Sequence, residues 1–226
     1  MDQNDKYDNE KILKLLTEAN QFFEQNRDYP PYQIAEFLIE FCKLFKQLGK
    51  LLYFAFSDVI EKAQVIKDRG NEYNEQTKGI YGVIQIEKQK GLMELNGENN
   101  KQILKNKTLA NYQSMARTML RIIRFFNYLK IMFIDVDANR NKKFSDICSD
   151  AYNEALAPYH TFMVRNAAKA AWLAAPSRTK VFETFVGPNQ TDEVAYAAIK
   201  KFVNALEPIR LNFWDYYNTN KLTNLP

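Results

Sequence analysis

The stretch "ARTMLRIIRFF", Ala116 to Phe126, decides how the chain is read. Its apolar residues recur at helical spacing, and Met115, Met119, Leu120, Ile122, Ile123, Phe125 and Phe126 cover most of the helix surface. Arg117, Arg121 and Arg124 follow one another at four and three residues, so all three lie along one stripe. Two readings are open. Ser114, the arginines and Tyr128 form the solvated face of a surface helix, or the guanidinium groups form a positive site set into an apolar wall. Arginine suits the second, because its planar fork binds phosphate or carboxylate through paired hydrogen bonds and keeps its charge when partly desolvated.

The same helical period runs through most of the 226 residues, of which 46% are apolar, with 16 Phe and 13 Tyr. Seven glycines and seven prolines are too few to punctuate a fold of short strands. The period predicts helices over about 10–26, 33–68 (with Gly49 as a bend), 73–94 and 108–134. Further helices follow to Leu156 (capped by Ser145 or Asp146), over 160–175 and over 177–185, and a last one runs from Thr191 to near Tyr217 with a kink at Pro208. The Asn-rich 96–107 segment reads as a surface loop. No repeat and no long linker divides the chain. The expected architecture is all-α, a single domain over 1–226 with about eight helices, too uneven in length for a plain four-helix bundle.

Charge and cysteine usage narrow the function. A net charge of +4 without a dense basic patch argues against nucleic acid. Cys42 and Cys148 stand apart from any paired or metal spacing and read as buried reduced thiols. No leader with an apolar centre and no run of 18 apolar residues is present, so a cytoplasmic protein with at most peripheral membrane contact is expected. Asp135, Asp137, Asn139 and Asp146 imitate a calcium-loop spacing, but Arg140 occupies the turn position that needs glycine, and calcium is not expected.

Two more places carry polar groups in apolar surroundings. In "FAFSDVIEKAQ", Asp58 and Lys62 are four apart, an ordinary helix ion pair or the mouth of a pocket that closes the run Leu51, Leu52, Tyr53, Phe54, Phe56. In "NEALAPYHTFMVR", His160 is the one histidine of the chain. A lone histidine is more often structural, and neither a two-histidine metal site nor a nucleophile elbow accompanies it.

Order and spacing join these signals. The blocks "LGKLLYFAFSDVIEK", "ARTMLRIIRFFNYLKIMF" and "CSDAYNEALAPYHTFMVRNAAKAAWLAAPSRTKVFE", with the ending "NKLTNLP", resemble the glycolipid transfer protein superfamily, most closely its ceramide-1-phosphate transfer branch. The resemblance runs from about residue 31 to the end; the first helix and the 70–107 region match poorly. It implies a two-layer helical sandwich that opens to hold sphingolipid chains. It implies that Asp58 accepts from the ceramide amide N–H, that His160 donates to the ceramide carbonyl or otherwise fixes that amide, and that Lys62, Arg117 and Arg121 bind the phosphate. Glycolipid-specific members carry asparagine and tryptophan where Lys62 and Arg121 stand here, which points to phosphate rather than sugar. A phosphomonoester carries about −1.5 to −2 charge near neutral pH, which three cations match. Thr161 and Phe162 depart from the family's usual Pro or Gly followed by a membrane-docking Trp; Tyr29, Tyr32 and the prolines between them, Pro30 and Pro31, are further docking candidates.

The sequence thus leads to a non-enzymatic carrier without cofactor or metal. It is expected to be a monomer that moves a sphingolipid, ceramide-1-phosphate first, between membrane surfaces it touches transiently. The competing readings are a glycosphingolipid carrier or sensor of the same fold and a helical interaction module that binds no lipid. An enzyme stands further off.

Overall fold

The computed structural model describes residues 6–95, 109 and 111–226. Among these residues there is no β-strand, and ten α-helices carry the fold. The Asn-rich 96–107 segment lies outside the described residues.

Helix α1 (Asn9–Asn26) starts where the Asp8 carboxylate accepts from the N–H groups of Glu10 and Lys11. The paired prolines that end the preceding segment open α2 (Pro31–Leu48): Pro31 sits at a helix start, where its missing N–H costs nothing. The helix expected over 33–68 is three helices. Gly49 (φ 149°, ψ 153°) holds a conformation open to glycine alone and separates α2 from α3 (Lys50–Ala55). Phe56 then interrupts the chain before α4 (Ser57–Glu72). That second break turns Phe56 inward, where its ring stacks on Phe45 at 3.9 Å.

Helix α5 (Ile80–Gln89) is shorter than the 73–94 expectation, bounded by Gly79 and a left-handed Gly91. The Asp28 carboxylate takes the N–H groups of Tyr29, Tyr81 and Gly82 and holds the helix start, so closely that a side chain at Gly79 would strike it. Helix α6 (Met115–Ala138) contains the arginines and begins later than expected, capped by Ser114. The buried Glu87 carboxylate of α5 accepts from Met115 N–H at 2.6 Å and Ala116 N–H at 3.0 Å. Burial raises this carboxyl to about 7, against the pull of those hydrogen bonds.

Helix α7 (Phe144–Ala155) starts after Lys143, with Asp146 in its first turn rather than at the cap. A 3₁₀ turn at Ala157–Tyr159 leads through His160 to α8 (Phe162–Leu173), capped by Thr161. Helices α9 (Arg178–Val186) and α10 (Asp192–Thr219) complete the chain, and Pro208 does not end α10.

The helices form a two-layer sandwich. Helix α2 packs between α1 and α4; α6 packs between α10 and α7; α1 reaches α10 and α4 reaches α6. Phenylalanine rings fill the space between: Phe37 meets Phe126, and Phe41 meets Phe133 and Phe202. One apolar core runs from Tyr7 to Leu222, and a small cluster of Leu92, Leu95 and Tyr112 lies beside it. None of the described helices is long and apolar enough to cross a membrane.

Candidate functional site

The break at Phe56 places Asp58 in the first turn of α4, where a carboxylate complements the helix dipole, and Lys62 one turn further on. Lys62 Nζ bonds to the Asp58 carboxylate; Asp58 is 65% exposed and Lys62 20% exposed at its side chain. As an exposed i,i+4 pair this contributes only about 0.3–0.5 kcal/mol, so its placement matters more than its strength.

The two residues stand at the rim of a cavity of about 440 Å³ enclosed by α3, α4, α6, α7 and α8. Its walls are apolar, with Phe56, Val59, Ile122, Phe125, Leu156 and Trp172. Its polar groups are Asp58, Lys62, Arg121, Arg124, Tyr152, Tyr159 and His160. Four of the five residues singled out from the sequence therefore meet here. Arg117 does not line the cavity: it is 5% exposed, one turn back on α6, and its Nη1 donates to the Glu94 carbonyl at 3.0 Å.

Arg124, which sequence reading placed on the arginine stripe without giving it a role, joins the site instead. Its guanidinium lies 3.6 Å from the Tyr159 ring centroid and donates to Thr223 O at 3.4 Å. Arg121 donates through Nη1 to Arg117 O and through Nη2 to Pro226 O at 3.2 Å, so the C-terminal segment lies along the stripe. Burial pushes both guanidinium groups below their ordinary value; Asp58 opposes the shift at Arg121, and Tyr159 opposes it at Arg124 while Arg121 adds to it. Both remain cationic, since guanidinium titrates far above neutrality. The rim thus holds three cations and one carboxylate.

His160 is half-buried, and its Nδ1 lies 2.8 Å from the Tyr152 hydroxyl. Burial lowers the imidazole below its ordinary value; Asp58 opposes this, and Lys62 and Arg124 add to it. The lowering favours the neutral ring. Tyr152 and Tyr159 were not foreseen, and the only signal available was their spacing of eight and one residues from the histidine.

Around the rim α3 packs against α8, and both leave large apolar side chains in water: Leu51 and Phe54 (71% exposed) on α3, Phe162 (71% exposed) and Met163 on α8. Tyr29 corrects an expectation. It is fully buried, stacked between Phe23 and Phe213 with its hydroxyl accepting from Asn212, because Asp28 turns the chain inward there. Tyr32 is exposed on α2 beneath Lys67. Cys42 and Cys148 are free and buried, and burial pushes each thiol up to about 12. Among the described residues no group of His, Cys, Asp and Glu could hold a metal.

Comparison with known proteins agrees with this architecture. The ceramide-1-phosphate transfer protein of Danio rerio is 25% identical over 218 residues, spanning 95% of this chain and 97% of that one. The crystal structure of human ceramide-1-phosphate transfer protein with 2:0 ceramide-1-phosphate superposes with a TM-score of 0.79 at 20% identity, covering 96% of this chain and 99% of that one. The apo form of the mouse protein gives 0.77 at 21% identity, with 95% and 99% covered. The sequence model of the family described as glycolipid transfer protein matches residues 32–187, more than half of the chain. The chain belongs to the glycolipid transfer protein family.

Proposed function

We propose that this chain is a non-enzymatic carrier that moves a phosphorylated sphingolipid, ceramide-1-phosphate first among candidates, between membranes. The observation that carries the reading is the rim: Lys62, Arg121 and Arg124 surround the mouth of an apolar cavity, with Asp58 and His160 beside them. A phosphomonoester of about −2 charge finds matching cations there, two of which can bind in forks. Asp58 is the acceptor that a lone amide N–H needs, and His160 faces the same cavity. Arg117 supports the cluster from behind through its hold on Glu94. The curated relatives named as ceramide-1-phosphate transfer proteins support the same headgroup.

The cavity supplies the reason for a carrier. Exposing an alkyl chain to water costs about 0.8 kcal/mol per CH₂, and a sheath of phenylalanine, leucine and tryptophan removes most of that barrier. No bond is made or broken. Leu51, Phe54, Phe162 and Met163 present an apolar ledge beside the opening, and Lys50 next to it suits an anionic surface. We infer that this ledge rests on the bilayer during extraction, with Phe162 at its exposed edge. A single working domain, a monomeric state and a cytoplasmic setting belong to the same proposal.

Transfer between vesicles, followed with labelled lipids, tests it. Ceramide-1-phosphate should move readily and glucosyl- or galactosylceramide slowly. The reverse order would replace the phosphate assignment with the glycolipid reading, and movement of neither would leave a helical interaction module.

A further inference from the structure

His160 is the one histidine of the chain, and one of its ring nitrogens is already engaged: Nδ1 faces the Tyr152 hydroxyl at 2.8 Å. We propose that Tyr152 is a positioning residue, whose hydroxyl donates to Nδ1 and thereby fixes His160 with its proton on Nε2, so that the cavity meets a hydrogen-bond donor. This rests on the carrier reading above and adds to it a tautomer and the residue that sets it.

The geometry is held from both sides. Tyr152 is buried on α7, its ring packed against Trp172 at 5.8 Å between centroids. His160 follows the 3₁₀ turn, and its own backbone N–H donates to Ala157 O, which fixes the point from which the imidazole projects. Tyr152 cannot swing away without breaking its packing against Trp172.

The direction of the hydrogen bond follows from acidity and basicity. Burial raises the Tyr152 phenol above its ordinary value, with Arg165 of α8 opposing, so the phenol keeps its proton at neutral pH. The groups facing the imidazole are Asp58 and Lys62 of α4, Arg124 of α6 and Tyr152 of α7, and their balance with burial keeps it neutral. Between a neutral phenol and a neutral imidazole, the bare ring nitrogen is the better acceptor and the phenol the better donor. Engagement of Nδ1 in this way leaves the proton on Nε2.

The opposite tautomer would serve the site poorly. An amide presents one donor and one acceptor. Asp58 is acceptor-only when ionised, so a second bare acceptor on His160 would leave the ligand carbonyl without a partner, at a cost of about 1–3 kcal/mol if buried. With Nε2–H, the Asp58 and His160 pair complements both ends of an amide.

Having one histidine makes the test clean. In uniformly ¹⁵N-labelled, ligand-free full chain, long-range ¹H–¹⁵N correlation should show a single imidazole with Nε2 protonated and Nδ1 bare; a protonated Nδ1 overturns the proposal. Tyr152→Phe should blur this signature into a tautomer mixture and lower ceramide-1-phosphate transfer about five-fold, the equivalent of one lost hydrogen bond. His160→Gln supplies an N–H near the Nε2 position without needing Tyr152, so Tyr152→Phe added to it should change transfer no further. An equal five-fold loss in that background would assign Tyr152 a role independent of His160 and overturn the positioning claim. Should the wild-type chain move no ceramide-1-phosphate, the carrier reading fails, whereas the ligand-free spectrum still decides the tautomer.

Discussion

Neutralising Arg121 separates the residues that face the cavity from those that support it. Arg121 lines the opening, and in the ligand-free state its two terminal nitrogens donate to Arg117 O at 3.0 Å and Pro226 O at 3.2 Å. On the proposed carrier reading, a bound phosphate takes the place of the Pro226 contact and accepts a charge-assisted hydrogen bond. The latter contributes about 1.5–3 kcal/mol and the former about 1, so the net gain lost in Arg121→Gln is about 0.5–2 kcal/mol, or about 2- to 30-fold in affinity. Vesicle transfer of ceramide-1-phosphate should fall by that factor, and transfer or extraction of an uncharged sphingolipid should change less than about three-fold. Arg117→Gln provides the contrast. Arg117 is buried away from the cavity and bound to Glu94 O, so its loss should act on stability, about 1–3 kcal/mol, and lower the melting temperature by several degrees. Its effect on transfer per folded molecule should be the smaller of the two. The reasoning is refuted if Arg121→Gln leaves phosphate-lipid transfer within a factor of two, or lowers charged and uncharged lipids alike with no change in melting.

Three other outcomes are expected. Phe54→Glu combined with Phe162→Glu should abolish sedimentation with anionic vesicles while leaving the melting temperature within a few degrees, because both rings stand in water. Gly49→Ala should cost about 1–3 kcal/mol in chemical denaturation: no neighbouring atom lies within 4 Å of the added methyl, so the whole effect is backbone strain at φ 149°. Glu87 should give the folded protein an inverted pH dependence. Its carboxyl titrates near 7 when folded, against a value of 4.5 for an ordinary glutamate, so the folded chain binds more protons and stability falls as pH rises through that window. The difference between wild type and Glu87→Gln, followed by denaturation at pH 5 and pH 8, should amount to something on the order of 3 kcal/mol; equal slopes would refute the assignment.

The helical class and the family were legible because period and spacing are local properties of a sequence. The run from Ala116 to Phe126 could only be a helix with an apolar girdle and one basic stripe, and α6 is that helix. Helix limits were less legible wherever a tertiary contact sets them. Asp28 lies 53 residues before Tyr81, yet its carboxylate anchors the start of α5 through the N–H groups of Tyr81 and Gly82. Glu87 does the same for α6 from 28 residues away. Nothing in the 73–94 window announces Asp28, and nothing in the 108–134 window announces Glu87. The expected single helix over 33–68 failed for a related reason. Its period is unbroken, yet stacking of Phe56 on Phe45 favours a chain that stops and turns over one that continues.

That turn is also what makes a site from the sequence signals. A straight helix through Gly49 and Phe56 would carry Asp58 and Lys62 away along one axis with Leu51 and Phe54. The two breaks instead swing α3 against α8, so the exposed rings form a ledge and the start of α4 lies over the arginine stripe. Which arginine the opening reaches is then a matter of phase. Arg121 and Arg124 project toward α4 and the 3₁₀ turn, whereas Arg117 projects toward Glu94. A stripe read from spacing treats the three alike, and only the position of the partner helices distinguishes the two that line the opening from the one buried behind them.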